Sequence, residues 1–83
     1  MELNTKFSYT HKANYTEEDG SKGEVTATVV GIVTETNEHG YIGWECVDTK
    51  NVKNAPSYGF HVSGGGFSEG PYLERFMPNF TTL

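Results

Sequence analysis

The sequence predicts an all-β protein: a small antiparallel barrel or strongly curved sheet of about five strands, SH3-like or OB-like in architecture, with one short C-terminal helical turn. Three observations lead to this fold class. Bulky and polar residues alternate without a break along residues 7–16, as in a half-buried strand. β-branched residues dominate residues 24–35, which favours strand over helix. Glycine-containing turn signals separate the segments, and a length of 83 residues indicates one domain, 1–83.

Residues 7–16 form the first predicted strand, and its odd-numbered side chains share the face that turns to the core. All of them are apolar or aromatic except His11, which lies between Tyr9 and Ala13 on that face. We interpret His11 as a histidine at the edge of the core that hydrogen-bonds a tyrosine hydroxyl or a backbone carbonyl. The alternative is a titrating group in a pocket.

The second strand is expected to pair with the first in a register that keeps all apolar residues on one face. A residue-number sum of 40 opposes Tyr15 to Val25 and His11 to Val29, with a three-residue loop at 19–21. The alternation breaks at residues 29–31, which predicts a β-bulge or a sharp bend, and a bulge would return Ile32 to the core side.

A turn at residues 36–40 leads into a third predicted strand, 41–47. Residues 52–56 are expected to be a loop, and residues 58–62 alternate again, which predicts a fourth strand with Tyr58, Phe60 and Val62 inward. The three glycines at 64–66 then indicate a flexible hinge, with a lid or partner-binding loop as the alternative.

A short helix is predicted between Pro71 and Pro78, because proline fits the first helical position and restricts the residue that precedes it. Its side chains Leu73 and Phe76 are expected to cap the open end of the barrel. Residues 79–83 are either a last strand or a loose tail.

Composition argues against several function classes. The formal net charge is −5 and the basic residues are scattered, whereas nucleic-acid binders usually carry a basic stripe, so a nucleic-acid partner is not expected. No apolar run approaches the ~20 residues that span a bilayer, so no membrane association is expected. Cys46 is the single cysteine, which suits a reducing compartment, and we expect a cytoplasmic protein.

The sequence contains no pattern typical of catalysis. The histidines and Cys46 form no close ligand pair, so no metal site is expected. Cys46 follows Trp44 on a strand and is expected to be an inert, inward thiol. The glycines at 64–66 lack the Gly-Lys-Ser/Thr ending of a phosphate loop. We therefore expect no catalytic residue, no cofactor and no enzyme.

Two groups of residues are candidates for binding. The acidic run Glu17, Glu18 and Asp19 is interpreted first as a solvated turn and second as a patch for a basic partner. Four aromatic residues have no obvious place in the strand pattern and could anchor a partner: Tyr41, Phe67, Tyr72 and Phe80.

These observations favour a non-enzymatic protein-binding module, such as a small acidic inhibitor or adaptor of the kind that a virus or phage encodes, with another protein as its partner. One alternative is a structural subunit of an oligomer or viral particle that self-associates through residues 78–83. Another is an OB-like binder of single-stranded nucleic acid or of a small ligand, which would use exposed aromatic residues.

Overall fold

The structure, a computed structural model, describes all 83 residues as a single antiparallel sheet of five strands with one short helix. The elements in chain order are β1 Lys6–Thr16, β2 Lys22–Thr36, β3 Tyr41–Lys53, β4 Gly64–Ser68, α1 Pro71–Phe76 and β5 Thr81–Thr82. The strand order is β4-β3-β2-β1-β5, so β4 and β5 are the two edges and the sheet does not close into a barrel. No helical segment has the length and apolar character needed to cross a membrane.

The β1–β2 hairpin keeps the predicted inward face but not the predicted register. Val25 lies opposite Ala13, not Tyr15, so paired residue numbers sum to 38. The difference of two residues leaves every side chain on its expected face, because the period of a strand is two. The cause is a five-residue connection, 17–21, in which the Gly20 amide donates to the Glu17 carbonyl at 2.9 Å. Gly20 has a φ of +87°, as such a turn requires.

The ladder does break at residues 29–31, where the bulge was predicted, but the extra residue is in β3 and not in β2, and Ile32 does not return to the core side. β2 stays in continuous register with β1, and Gly31 and Val33 extend the inward row. At this break Val47 of β3 has no partner in β2, and two further register shifts lie between Thr26 and Thr28 and between Val33 and Glu35, where Thr34 of β2 has no partner. Gly31 lies in the inward-facing row of β2. A Cβ at this position would lie 2.6 Å from ring atoms of both Phe7 and Trp44, so these two rings occupy the space that a side chain would need.

The predicted fourth strand is also wrong. Residues 58–62 form no strand, and Tyr58 is 67% exposed; Phe60 and Val62 are half-buried. The fourth strand is β4, which begins at the glycines that indicated a hinge. β3 is longer than predicted and runs to Lys53, so the loop expected at 52–56 begins at residue 54. In the connecting segment 54–63, Phe60 contacts His11 and Val62 packs against the core.

α1 begins at Pro71 and ends before Met77, as the two prolines predicted. Leu73 packs against the core, as expected. Phe76, which was also expected to be buried, is 54% exposed, and the neighbouring Met77 is buried instead. The C-terminal residues form a last strand, since β5 pairs with Phe7 and Ser8 of β1.

The hydrophobic core is built around the ring of Phe7, which is fully buried. Trp44 and Phe67 meet this ring edge to face, with centroids 5.4 and 5.7 Å away, and Phe80 stacks on it at 5.0 Å. Such aromatic pairs stabilise a core beyond the area that they bury. The core therefore joins β1, β3, β4 and the C-terminal segment on the inner face of the sheet.

Candidate functional site

The structure does not bring the two predicted groups of binding residues together. The acidic run lies at the tip of the β1–β2 hairpin, beyond the Thr16–Lys22 pair. Tyr41 lies at the other end of the sheet, where β3 leaves the β2–β3 turn and pairs with β4. The molecule is 46 Å long, so these groups do not form one surface.

Two of the three acidic side chains hold the hairpin tip in place. The Glu17 carboxylate accepts hydrogen bonds from the Ser57 amide at 2.9 Å and from the Ser57 hydroxyl at 2.5 Å, and these bonds lower its pKa. The Asp19 carboxylate accepts from the Ser21 hydroxyl at 2.6 Å and amide at 2.9 Å, with the same effect on its pKa. Glu18 is exposed and makes no such contact.

Of the four candidate aromatic residues, two belong to the core. Phe67 is 3% exposed, so it is not the exposed aromatic that the sequence predicted. Phe80 is half-buried against Phe7 and Phe67. Tyr41 and Tyr72 stay accessible, 39% and 38% exposed, and they lie on different elements, β3 and α1.

His11 has the environment that the sequence predicted. Its Nδ1 lies 3.1 Å from the Tyr9 hydroxyl oxygen, which confirms the interpretation as a core-edge histidine. Burial lowers the pKa of His11, while burial, followed by the effects of Cys46 and Tyr72, raises the pKa of Tyr9 to about 12. Both shifts favour the neutral side chains at pH 7.

Cys46 is half-buried, and its thiol donates to the Asp48 carbonyl at 3.3 Å. No three His, Cys, Asp or Glu side chains come together in a way that could hold a metal ion. The largest concavity is an open groove of about 600 Å³ beside α1, lined by Leu73, Met77 and Phe80 among others. A small-molecule site usually encloses most of its ligand, which an open groove does not.

The outer edge of β4 presents unpaired backbone groups. The Cys46 amide donates to the Ser63 carbonyl at 3.2 Å, and pairs that exchange hydrogen bonds alternate along an antiparallel ladder. Gly65 and Phe67 therefore direct their backbone groups toward β3, and Gly64, Gly66 and Ser68 direct theirs away from it. None of these three residues takes part in a turn, loop or cap hydrogen bond. Three N–H donors and three C=O acceptors thus face the open side of the sheet.

At the opposite side of the sheet, the C-terminal segment covers β1 from Lys6 to Thr10. β5 pairs with the first part of β1, and the Leu83 amide donates to the Lys6 carbonyl at 2.8 Å. The Thr10 amide next donates to the Pro78 carbonyl at 2.8 Å. Natural edge strands are usually protected by lysine, proline, a bulge or a covering segment. β4 has the sequence Gly-Gly-Gly-Phe-Ser and contains no lysine, no proline and no bulge.

Aromatic side chains of β3 flank this edge on both faces of the sheet. On the outer face, a Cβ at Gly66 would lie 2.6 Å from the Tyr41 hydroxyl oxygen, so the tyrosine ring lies across Gly66. On the inner face, a Cβ at Gly65 would lie 3.8 Å from Trp44 Nε1. A segment that pairs with β4 would therefore meet Tyr41 on one side and the indole of Trp44 on the other.

No protein-family model matches the sequence, and neither characterised proteins nor solved structures show a significant similarity to it. The geometry of the β4 edge is thus the strongest functional observation. Sequence reasoning missed this edge because three of its five residues have no side chain to show an alternating pattern. The signal that could have identified it is Phe67, an aromatic residue directly after the glycines.

Proposed function

We propose that this chain is a non-enzymatic protein-binding module that takes an extended segment of a partner protein onto β4 as a sixth strand. The observation that carries the proposal is the set of unpaired backbone groups of Gly64, Gly66 and Ser68 at an exposed edge. In β-strand addition, main-chain hydrogen bonds provide the affinity and flanking side chains provide the specificity. SH3-like and OB-like architectures host many functions, so the edge, and not the architecture, supports this proposal.

The C-terminal segment offers less to a partner than the sequence predicted. The backbone of residues 78–83 is already hydrogen-bonded to β1, and Phe80 packs against the core. β4 is therefore the better place for a partner, and an inhibitor or adaptor would act by occupying or presenting this edge.

The test is a selection from an unbiased library of displayed ten-residue peptides, followed by binding measurements on two matched variants. Ser68→Pro removes an outward N–H but no hydrogen bond to β3, and Ser68→Ala keeps that N–H. We expect selected peptides to bind Ser68→Ala as they bind the original chain, and to bind Ser68→Pro at least tenfold more weakly. Amide exchange at Gly64, Gly66 and Ser68 should slow when peptide is bound.

Selected peptides that bind Ser68→Pro and Ser68→Ala equally well would overturn the proposal, as would a selection that yields no binder. Circular dichroism and amide spectra of Ser68→Pro check that the sheet is intact, so that a loss of binding reports on the edge.

A further inference from the structure

Two glutamates, Glu45 and Glu35, lie on the outer face of the sheet next to β4. Glu45 lies directly opposite Gly64 across the β3–β4 ladder, and Glu35 lies opposite Gly43 across the β2–β3 ladder. A Cβ at Gly43 would lie 3.0 Å from Glu35 Cβ, which places both residues on one face. Neither Glu35 nor Glu45 takes part in an ion pair.

No cation of the chain forms an ion pair with either glutamate. Lys12, Lys22, Lys50 and Lys53 lie toward the end of the sheet where the β1–β2 hairpin turns. Lys6 of β1 lies in the same cross-strand row as Glu45, but the Ile32 side chain of β2 lies between them and they form no ion pair. Arg75 of α1 holds its guanidinium carbon 5.2 Å from the centre of the Phe76 ring.

Other carboxylates near this end are Glu69, Glu74 and Glu38 of the β2–β3 turn, which lies 3.5 Å from His39 Nε2. Glu69 is paired with the Met1 amino group at 3.1 Å, and Glu74 belongs to the first turn of α1. The unpaired carboxylates closest in register to the open edge are therefore Glu45 and Glu35.

The glycines leave a path from the open edge to these carboxylates. Strands lie about 4.8 Å apart, so a residue opposite Gly64 on an incoming strand is ~10 Å from the Glu45 backbone, with only a glycine between them. A lysine or arginine at that position can extend over Gly64 to the Glu45 carboxylate. The next outer-face residue along the incoming strand would meet the Tyr41 ring over Gly66, and a cation also binds favourably to such a ring.

We infer that the occupant of the β4 edge is basic: an extended segment of a partner protein with lysine or arginine at alternate positions. The inference rests on the proposed function, and it adds the chemistry of the partner. Charge complementarity also disfavours a second copy of this chain, whose β4 would bring a second Glu45 and Glu35 to the same face.

The experiment compares three fluorescent ten-residue peptides in which threonine alternates with lysine, glutamine or glutamate, measured by fluorescence polarisation at physiological salt. We expect the Thr/Lys peptide to bind at least tenfold more tightly than the Thr/Glu peptide. Glu45→Gln should weaken Thr/Lys binding about two- to fivefold, the usual range for one exposed ion pair. Glu18→Gln is the matched control, because it removes one carboxylate at the far end of the sheet and should change nothing.

A second probe separates strand pairing from charge alone. The Thr/Lys peptide methylated on alternate backbone nitrogens keeps its charge but cannot complete the ladder, and we expect it not to bind. Glu45→Lys should reverse the preference between the Thr/Lys and Thr/Glu peptides. These two results do not depend on the folding of Ser68→Pro.

The outcomes distinguish the two proposals. Equal binding of all three peptides, lost in Ser68→Pro, would overturn the basic preference and leave the docking edge standing. Thr/Lys binding that persists in Ser68→Pro and with the methylated peptide would overturn both. Absence of Thr/Lys binding would refute the basic partner, while the library selection decides the edge independently. Sedimentation that shows a dimer dissociated by Ser68→Pro would assign the edge to a second copy and overturn the inference.

Discussion

Replacement of Gly31 by alanine tests whether the core is packed as tightly as the structure indicates. The added Cβ would lie 2.6 Å from Phe7 Cζ and 2.6 Å from Trp44 Cε3, closer than carbon atoms approach in native proteins. Both rings are buried, and Phe7 also contacts Phe67 and Phe80, so neither ring can move without disturbing other contacts.

The expected magnitude follows from two opposing effects. Overpacking of a dense core costs about 1–3 kcal/mol. Alanine lowers the conformational entropy of the unfolded chain relative to glycine, which stabilises the folded state by about 0.4–1 kcal/mol. Gly31→Ala should therefore lower the free energy of unfolding by about 1–2 kcal/mol. For a domain of this size the melting temperature should fall by roughly 5–15 °C, a large effect where total stability is only a few kcal/mol.

Urea denaturation followed by tryptophan fluorescence measures this loss, with Gly65→Ala as the matched control. A Cβ at Gly65 meets only Trp44 Nε1 at 3.8 Å, so that variant should be as stable as the original chain or slightly more stable. Adding Phe7→Leu to Gly31→Ala should cost less than the two single changes summed, because the smaller side chain makes room for the Cβ. Equal urea midpoints for Gly31→Ala and Gly65→Ala would refute the reasoning.

Two further predictions concern pH. The hydrogen bonds from Ser57 lower the pKa of Glu17 below its usual 4.5 in the folded state, so their contribution is complete above pH 4.5 and is lost as pH falls from there through the lower folded-state pKa. Glu17→Gln should reduce the loss of stability between pH 7 and pH 3, whereas Glu18→Gln should not; equal acid sensitivity in both variants would contradict this. Burial lowers the pKa of His11 below 6.5, so the unfolded chain takes up a proton first and stability falls as pH drops below about 6.5. In His11→Phe, the urea midpoint should fall less between pH 8 and pH 5 than it does in the original chain. The same fall in both proteins would show that His11 does not cause this pH dependence.

The first strand shows what the sequence could predict. Uninterrupted alternation from residue 7 to residue 16 assigns each side chain to a face, and the structure confirms both that face and the His11 contact with Tyr9. The register of the hairpin could not be predicted, because shifts of two residues leave the faces unchanged. The five-residue connection between β1 and β2 sets the register. Hydrogen bonds of Gly20 and Asp19 at the hairpin tip stabilise a connection of this length.

Gly31 shows a different limit. On the sequence it interrupts an apolar row and resembles a bend, but in the structure it continues that row as the position over which two rings pack. Which rings approach a glycine depends on β1 and β3, both distant in sequence. Likewise, Phe67 and Phe80 had no place in a local pattern, because their place is the core around Phe7.

The β4 edge was hidden from the sequence for the same reason that it is exposed in the structure. A period-two pattern needs side chains, and Gly64, Gly65 and Gly66 have none, so the strand resembled a hinge. Without those side chains nothing on β4 shields its outward N–H and C=O groups, and nothing on the outer face separates an incoming residue from Glu45 or Tyr41. A hinge does not require Phe67 to be buried, but a strand held for docking does, since Phe67 anchors β4 to the core while its neighbours leave the edge open. The combination of one anchoring ring with side-chain-free neighbours therefore favours a docking strand over a linker.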